Sequence, residues 1–161
     1  MVVICDTGPL SGLIQIGRLS LLKDLFQEII LPESVFLEVE KLEQFGISID
    51  EIRAAEWIRI ETPRPSVLHK ELAGKLDIGE IDAIVLAIQE QADRLLIDER
   101  AGRKVAEEYG IGIIGTVGCL RDAKKAKLIT NVKTELDKLI ETGHWISPKL
   151  YNIVLKQANE L

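Results

Sequence analysis

Residues 2–10 read VVICDTGPL, and this stretch decides the fold class. Its first four residues are apolar and mostly β-branched, which predicts a buried strand over residues 2–5. The turn-forming run Asp6-Thr7-Gly8-Pro9 ends that strand. The sequence therefore places a carboxylate directly after a first, buried strand.

Along the rest of the chain, short apolar runs alternate with segments in which apolar residues recur at helical spacing. Four further strands are predicted at residues 29–31, 57–60, 95–97 and 111–114. Helices are predicted over residues 10–16, 19–26, 34–42, 80–90, 101–109, 117–126, 132–141 and 148–158. Strands separated by helices indicate an α/β protein with a mostly parallel, five-stranded sheet covered on both faces, which is a three-layer α/β/α arrangement. Since no linker, repeat or low-complexity tract interrupts the pattern, residues 1–161 are expected to form a single domain.

Composition narrows the classes of function. The chain has 161 residues, 47% of them apolar and 29% charged, so it can bury a core. Its 26 acidic and 20 basic residues give a net charge of −6, which argues against binding polyanions by bulk charge alone. Two cysteines without a CxxC spacing, no apolar run of about 18 residues and no signal-peptide pattern predict a cytoplasmic protein without a membrane span.

Acidic residues are concentrated where the predicted elements begin or end. Asp6 directly follows the first strand and Asp98 directly follows the fourth, while Glu80 and Asp82 lie at the start of an apolar helix. Glu38 falls in the helix after the second strand. The C-terminal edge of a parallel sheet is where such proteins bind ligands, and clustered carboxylates repel one another unless a cation lies between them. Oxygen ligands without nearby His or Cys favour Mg²⁺ or Mn²⁺ over zinc.

Each acid also has a purely structural interpretation. Asp6 and Asp98 are suitable caps for the helices that follow them. Glu80 and Asp82 would complement a helix dipole, and Glu38 would be a solvated surface acid. The sequence leaves these alternatives open for each residue taken singly, but all five acids are predicted near one edge of the sheet.

The order of these motifs resembles that of a PIN domain, the small metal-dependent ribonuclease fold that includes the VapC-type toxins. The resemblance covers nearly the whole chain. It is carried by VICDTGPL (3–10), Leu31-Pro32 with Val35 and Glu38, LDIGEIDA (76–83), LLIDER (95–100), IGTVGCL (114–120), and Ala123-Lys124 with Leu128-Ile129. It implies a sheet with strand order 3-2-1-4-5.

The resemblance also implies which residues form the site. The acidic set of the family falls on Asp6, Glu38, Asp82 and Asp98, and Glu80 is an additional acid of the subfamily pattern. The small polar positions that line such sites fall on Thr7 and Thr116. The implied cofactor is Mg²⁺ or Mn²⁺, the implied substrate is RNA, and the implied partners are an antitoxin protein and a second copy of the chain.

The implied activity is hydrolysis of RNA phosphodiester bonds, in which metal ions held by these carboxylates activate water. Arg100, Arg103 and Lys104 follow Asp98 and would hold flanking phosphates; otherwise they form an exposed helix face. An aspartyl-phosphate enzyme is disfavoured because Gly8 stands where a second acid would be needed. A PIN-like module that binds nucleic acid or protein without catalysis stays an alternative.

The histidines and tryptophans carry no predicted role in the site. His69 and His144 lack a metal-ligand spacing, so surface or packing roles are expected. Trp57 and Trp145 are expected to pack, because aromatic residues are only 4% of the chain and are not interleaved with basic ones.

Overall fold

A computed structural model describes all residues from 1 to 161. Five short strands form one sheet: β1 (Val3–Cys5), β2 (Ile29–Pro32), β3 (Ile58–Glu61), β4 (Arg94–Leu96) and β5 (Ile113–Ile114). All neighbouring strands are parallel, and their order is β3-β2-β1-β4-β5. The expected five-stranded parallel sheet and its order are therefore confirmed.

Ten α-helices surround the sheet. They are α1 (Thr7–Gln15), α2 (Ser20–Phe26), α3 (Glu33–Glu40), α4 (Asp50–Ala54), α5 (Val67–Leu72), α6 (Ile78–Gln89), α7 (Arg100–Glu108), α8 (Thr116–Lys125), α9 (Val132–Glu141) and α10 (Pro148–Gln157). A 3₁₀ helix, Lys41–Phe45, continues α3. No helix is both long and apolar enough to cross a membrane.

The alternation of side chains along β1 divides the core into two layers. Val3 and Cys5 belong to the larger cluster, which also contains buried residues of α1, α2, α8, α9 and α10. Ile4 faces the other way and belongs to a cluster that includes Ile84 of α6 and Ala106 of α7. Because successive strand residues point to opposite faces, a three-residue strand buried on both faces is wholly apolar. The three-layer α/β/α architecture follows from this arrangement.

Two helices lie where the sequence indicated only loop. Residues 67–72 form α5, because the Ser66 hydroxyl accepts a hydrogen bond from the Leu68 N–H and His69 Nδ1 accepts one from the Ser66 N–H. Such a reciprocal cap starts a helix even behind a proline-rich segment. α4 is shorter still. Helix α6 begins at Ile78, two residues before the predicted start, so the residue that caps it is Asp77.

The strand order puts β1 and β4 side by side at the centre of the sheet. Cys5 is paired with Leu96, and the Asp6 N–H donates a 2.9 Å hydrogen bond to the Leu96 carbonyl. Since β2 flanks β1 on its other side, the connections leave the β1–β4 boundary in opposite directions. This boundary is the switch point at which open α/β sheets form a crevice beyond their strand ends.

Candidate active site

A crevice of about 590 Å³ opens beyond the C-terminal ends of β1 and β4. Five carboxylates line this acidic crevice: Asp6, Glu38, Asp77, Asp98 and the exposed Glu99. They come from four separate segments of the chain: the end of β1, helix α3, the start of α6 and the residues after β4. The fold therefore brings together acids that are up to 93 positions apart, from Asp6 to Glu99.

Asp6 is the most buried of these acids, with only 5% of its surface exposed. It precedes α1, yet its side chain makes no capping hydrogen bond to that helix. Burial is the main cause that raises the pKa of its carboxyl to about 7; the nearby Thr7 backbone acts to lower the pKa, and the charges of Glu80, Asp77 and Glu38 act to raise it. A carboxylate held in this way gains from any cation that enters the crevice.

Asp98 is oriented by the start of α8. Its Oδ1 accepts a 2.8 Å hydrogen bond from the Thr116 N–H, and its Oδ2 accepts a 2.7 Å hydrogen bond from the Thr116 hydroxyl. Thr116 is fully buried. Asp98 thus satisfies the first N–H of α8, while Glu99 occupies the position before α7. The structural alternative for Asp98, a cap on the helix after β4, is therefore not what the structure shows; Asp98 accepts its hydrogen bonds at the start of the helix after β5.

Glycines allow the chain to approach Asp98 on two sides. A Cβ at Gly8 would lie 3.1 Å from Asp98 Oδ2, and a Cβ at Gly115 would lie 2.8 Å from Oδ1. The same Cβ would lie 2.7 Å from Arg103 Nη1, so the guanidinium of Arg103 and the carboxylate of Asp98 both lie close to Gly115. Any larger residue at Gly115 would displace one of the two.

Glu38 and Asp77 form the other wall of the acidic crevice. The Thr7 hydroxyl donates a 3.0 Å hydrogen bond to Glu38 Oε2. Gly79 lies between the two acids, because a Cβ there would be 3.3 Å from Glu38 Oε2 and 3.5 Å from Asp77 Oδ1. Asp77 also caps α6 by accepting a 2.8 Å hydrogen bond from the Glu80 N–H.

Glu80 is buried next to this wall and does not line the crevice. Its Oε1 accepts a hydrogen bond from the Asp77 N–H, while its Oε2 is buried without a partner against Gly102 of α7. Burial raises the pKa of the Glu80 carboxyl to about 7, the Asp77 backbone hydrogen bond lowers it, and the nearby charges of Asp77 and Glu99 raise it. Glu80 therefore affects the site through the field that it exerts on Asp6.

Asp82 lies apart from the acidic crevice. Its Oδ2 accepts a 2.6 Å hydrogen bond from the Ser34 hydroxyl and its Oδ1 is 2.8 Å from His69 Nε2, so it joins α6 to α3 and α5. A helix turns by about 100° per residue, so Asp82 projects about 200° away from Glu80. Asp77 is the acid of this segment that reaches the crevice. The sequence signal for it is the Asp77-x-x-Glu80 capping box.

Three more residues complete the mouth of the crevice: Arg100, His144 and Trp145. His144 Nε2 is 3.6 Å from Asp98 Oδ2. Trp145 is 81% exposed, so the expectation that it packs in the core is wrong, whereas Trp57 does pack against the core. Both His144 and Trp145 come from the α9–α10 connection, where no periodic pattern marks them in the sequence.

The acids of the crevice fit a divalent cation by their chemistry. None of Asp6, Glu38, Asp77 or Asp98 forms an ion pair with Lys or Arg. Carboxylate oxygens are the donors that Mg²⁺ and Mn²⁺ prefer. However, no three His, Cys, Asp or Glu side chains are arranged so that they could hold one ion. A cation would therefore have to draw these side chains together.

The sheet order and the acid-lined switch point define a PIN domain. The family model described as "DUF3368: PIN domain" matches residues 2–160, and the chain therefore belongs to this family. A search of the curated proteins gave no match. PIN domains are generally nucleases, and they typically use divalent metals.

Proposed function

We propose that this protein is an Mg²⁺- or Mn²⁺-dependent endoribonuclease. The observation that carries the proposal is the acidic crevice, in which five carboxylates meet at the switch point without a Lys or Arg partner. Asp6, Asp98, Glu38 and Asp77 are the residues that would hold the cation. Once bound, a divalent cation would lower the pKa of a coordinated water and offset the charge of the scissile phosphate.

The other site residues support this arrangement. Thr116 fixes both oxygens of Asp98, and Thr7 fixes one oxygen of Glu38. Arg100 and Arg103, at the start of α7, would hold phosphates next to the scissile bond. In this proposal Asp82 positions α6 against α3 and is not a ligand, in contrast to what the sequence resemblance implies.

The test is cleavage of an end-labelled single-stranded RNA with Mg²⁺ or Mn²⁺, compared with the same reaction in EDTA. We expect internal cleavage that Asp98→Asn lowers by about a hundredfold or more, since metal activation contributes several kcal/mol. Asp24→Asn, an exposed acid of α2, is the matched control and should cleave normally. If the wild-type protein binds RNA without metal-dependent cleavage, the catalytically inactive module is the correct alternative.

A partner antitoxin and a homodimer follow from the resemblance to PIN domains, a cytoplasmic location follows from the cysteine usage and the lack of a span or signal pattern, and all three stay predictions. An antitoxin should copurify with the protein when the neighbouring reading frame is coexpressed. A monomer by light scattering at high protein concentration would contradict the homodimer.

A further inference from the structure

A second cavity, of about 830 Å³, adjoins the acidic crevice. The two share Asp98, Arg100, His144 and Trp145, so they form one continuous depression. The second cavity follows the edge strand β5, with α7 on one side and α8 and α10 on the other. We call it the basic groove, because four cations line it: Arg100, Arg103, Lys104 and Arg121.

The positive charge of the basic groove is not neutralised by the protein itself. Arg100, Arg103 and Lys104 form no ion pair, and Arg121 contacts only its neighbour Asp122, at 3.2 Å. Asp98 and Glu107 are the acids that line the groove. In a chain with a net charge of −6, this is a local excess of positive charge next to the acidic crevice. Such a strip attracts a polyanion and guides it along the groove.

Trp145 stands at the junction of the crevice and the basic groove. It is 81% exposed, and its neighbours Leu150 and Ile153 of α10 are also exposed and line the groove. An exposed indole offers a stacking surface to a nucleic-acid base. Only an unpaired base can use this surface, because the bases of a duplex are already stacked and paired.

We propose that the basic groove holds single-stranded RNA that leads away from the acidic crevice, with phosphates on the cations of α7 and one base stacked on Trp145. The proposal rests on the proposed nuclease function and adds to it the path of the bound strand and Trp145 as the residue that stacks a base. The strand would pass from Asp98 over Trp145 and along β5. An acidic peptide would use the same cations, but it would gain little from the indole plane.

The experiment measures binding of a short labelled single-stranded RNA in EDTA, where metal-dependent cleavage cannot occur, over a range of salt concentrations. We expect Trp145→Ala to weaken binding about tenfold and Trp145→Phe to retain most of the affinity, as base stacking requires. The double variant Arg100→Ala/Lys104→Ala should flatten the slope of log Kd against log salt by about 1.4, since each single-strand phosphate contact contributes about 0.7. Lys23→Ala/Lys70→Ala removes two exposed cations outside the groove and should leave the slope unchanged.

The outcomes separate the basic groove from the nuclease function. If the wild-type protein cleaves RNA but none of the groove variants changes affinity or salt slope, the groove proposal is overturned and the nuclease stands. Equal affinity for a duplex of the same sequence, or tighter binding of a poly-glutamate peptide, also overturns it. If groove variants behave as expected but no metal supports cleavage, the strand-binding groove stands and the proposed function fails.

Discussion

Replacement of Asp6 by asparagine should stabilise the metal-free protein at neutral and higher pH. The pKa of Asp6 lies at about 7 in the folded chain and at 3.8 in an unfolded one, because the folded carboxyl is buried among other acids. The folded state therefore binds this proton more tightly. The contribution of Asp6 to stability is greatest below pH 3.8 and is lost as the pH rises to about 7.

The difference of about 3 pKa units corresponds to about 4 kcal/mol of unfolding free energy, which is the upper limit of the effect at about pH 8. Asparagine has the same shape, carries no charge and suits the position before α1. We therefore expect Asp6→Asn to raise the unfolding free energy by about 2–4 kcal/mol at pH 8 in EDTA. At about pH 4 the two proteins should be nearly equal.

Urea unfolding followed by circular dichroism, at several pH values in EDTA, measures this directly. Asp24→Asn, a control on the exposed face of α2, should leave the pH dependence unchanged. Addition of Mn²⁺ should narrow the difference: the wild-type protein gains about 2.7 kcal/mol at a hundred times the Kd, and the variant gains little. The reasoning is refuted if Asp6→Asn is less stable than the wild type at pH 8 and the unfolding free energies of both proteins depend on pH in the same way. The folded protein would then not raise the pKa of Asp6.

Further substitutions test the rest of the site. Asp77→Asn should weaken Mn²⁺ binding, measured by calorimetry, with little loss of stability because asparagine still caps α6. Asp82→Asn should lower the melting temperature and leave the affinity for Mn²⁺ unchanged. The opposite result would restore Asp82 to the metal set. Thr116→Val should lower stability by about 1.5–3 kcal/mol, by loss of a hydrogen bond to a charged group, and should also reduce cleavage, while Thr116→Ser should retain both. Gly115→Ala should reduce cleavage more than stability, because its methyl group would meet Asp98 Oδ1 at 2.8 Å; normal cleavage would show that the carboxylate can move freely.

The strands and the layers of this fold are predictable because they depend on local patterns. Each strand is a short apolar run between turn signals, and burial on both faces makes such runs wholly apolar. Helices α4 and α5 are not predictable in this way, since they have five and six residues and span fewer than two turns. The cap at Ser66 is the only sequence signal that marks α5.

Whether the position of an acid in the site can be predicted from the sequence depends on the element that carries it. Asp6 comes one residue after β1 and Asp98 two residues after β4, and the end of a strand fixes the edge of the sheet at which the next residues lie. Asp77 is the residue before α6 and caps it, whereas Asp82 lies inside the helix. The apolar period of α6 identifies its buried face but not its first residue, so a predicted start at residue 80 passes over Asp77, the acid that reaches the crevice.

By itself, the sequence determined that this chain is an α/β domain with a parallel sheet and with Asp6 and Asp98 at the ends of its first and fourth strands, because strand burial and strand ends are recorded in consecutive residues. Only the tertiary structure decided that Asp77 lines the crevice, that Asp82 ties α6 to α3, and that Trp145 lines the same crevice as Asp98. These placements depend on how α6 and the α9–α10 connection pack against distant segments of the chain, and no local pattern encodes that packing.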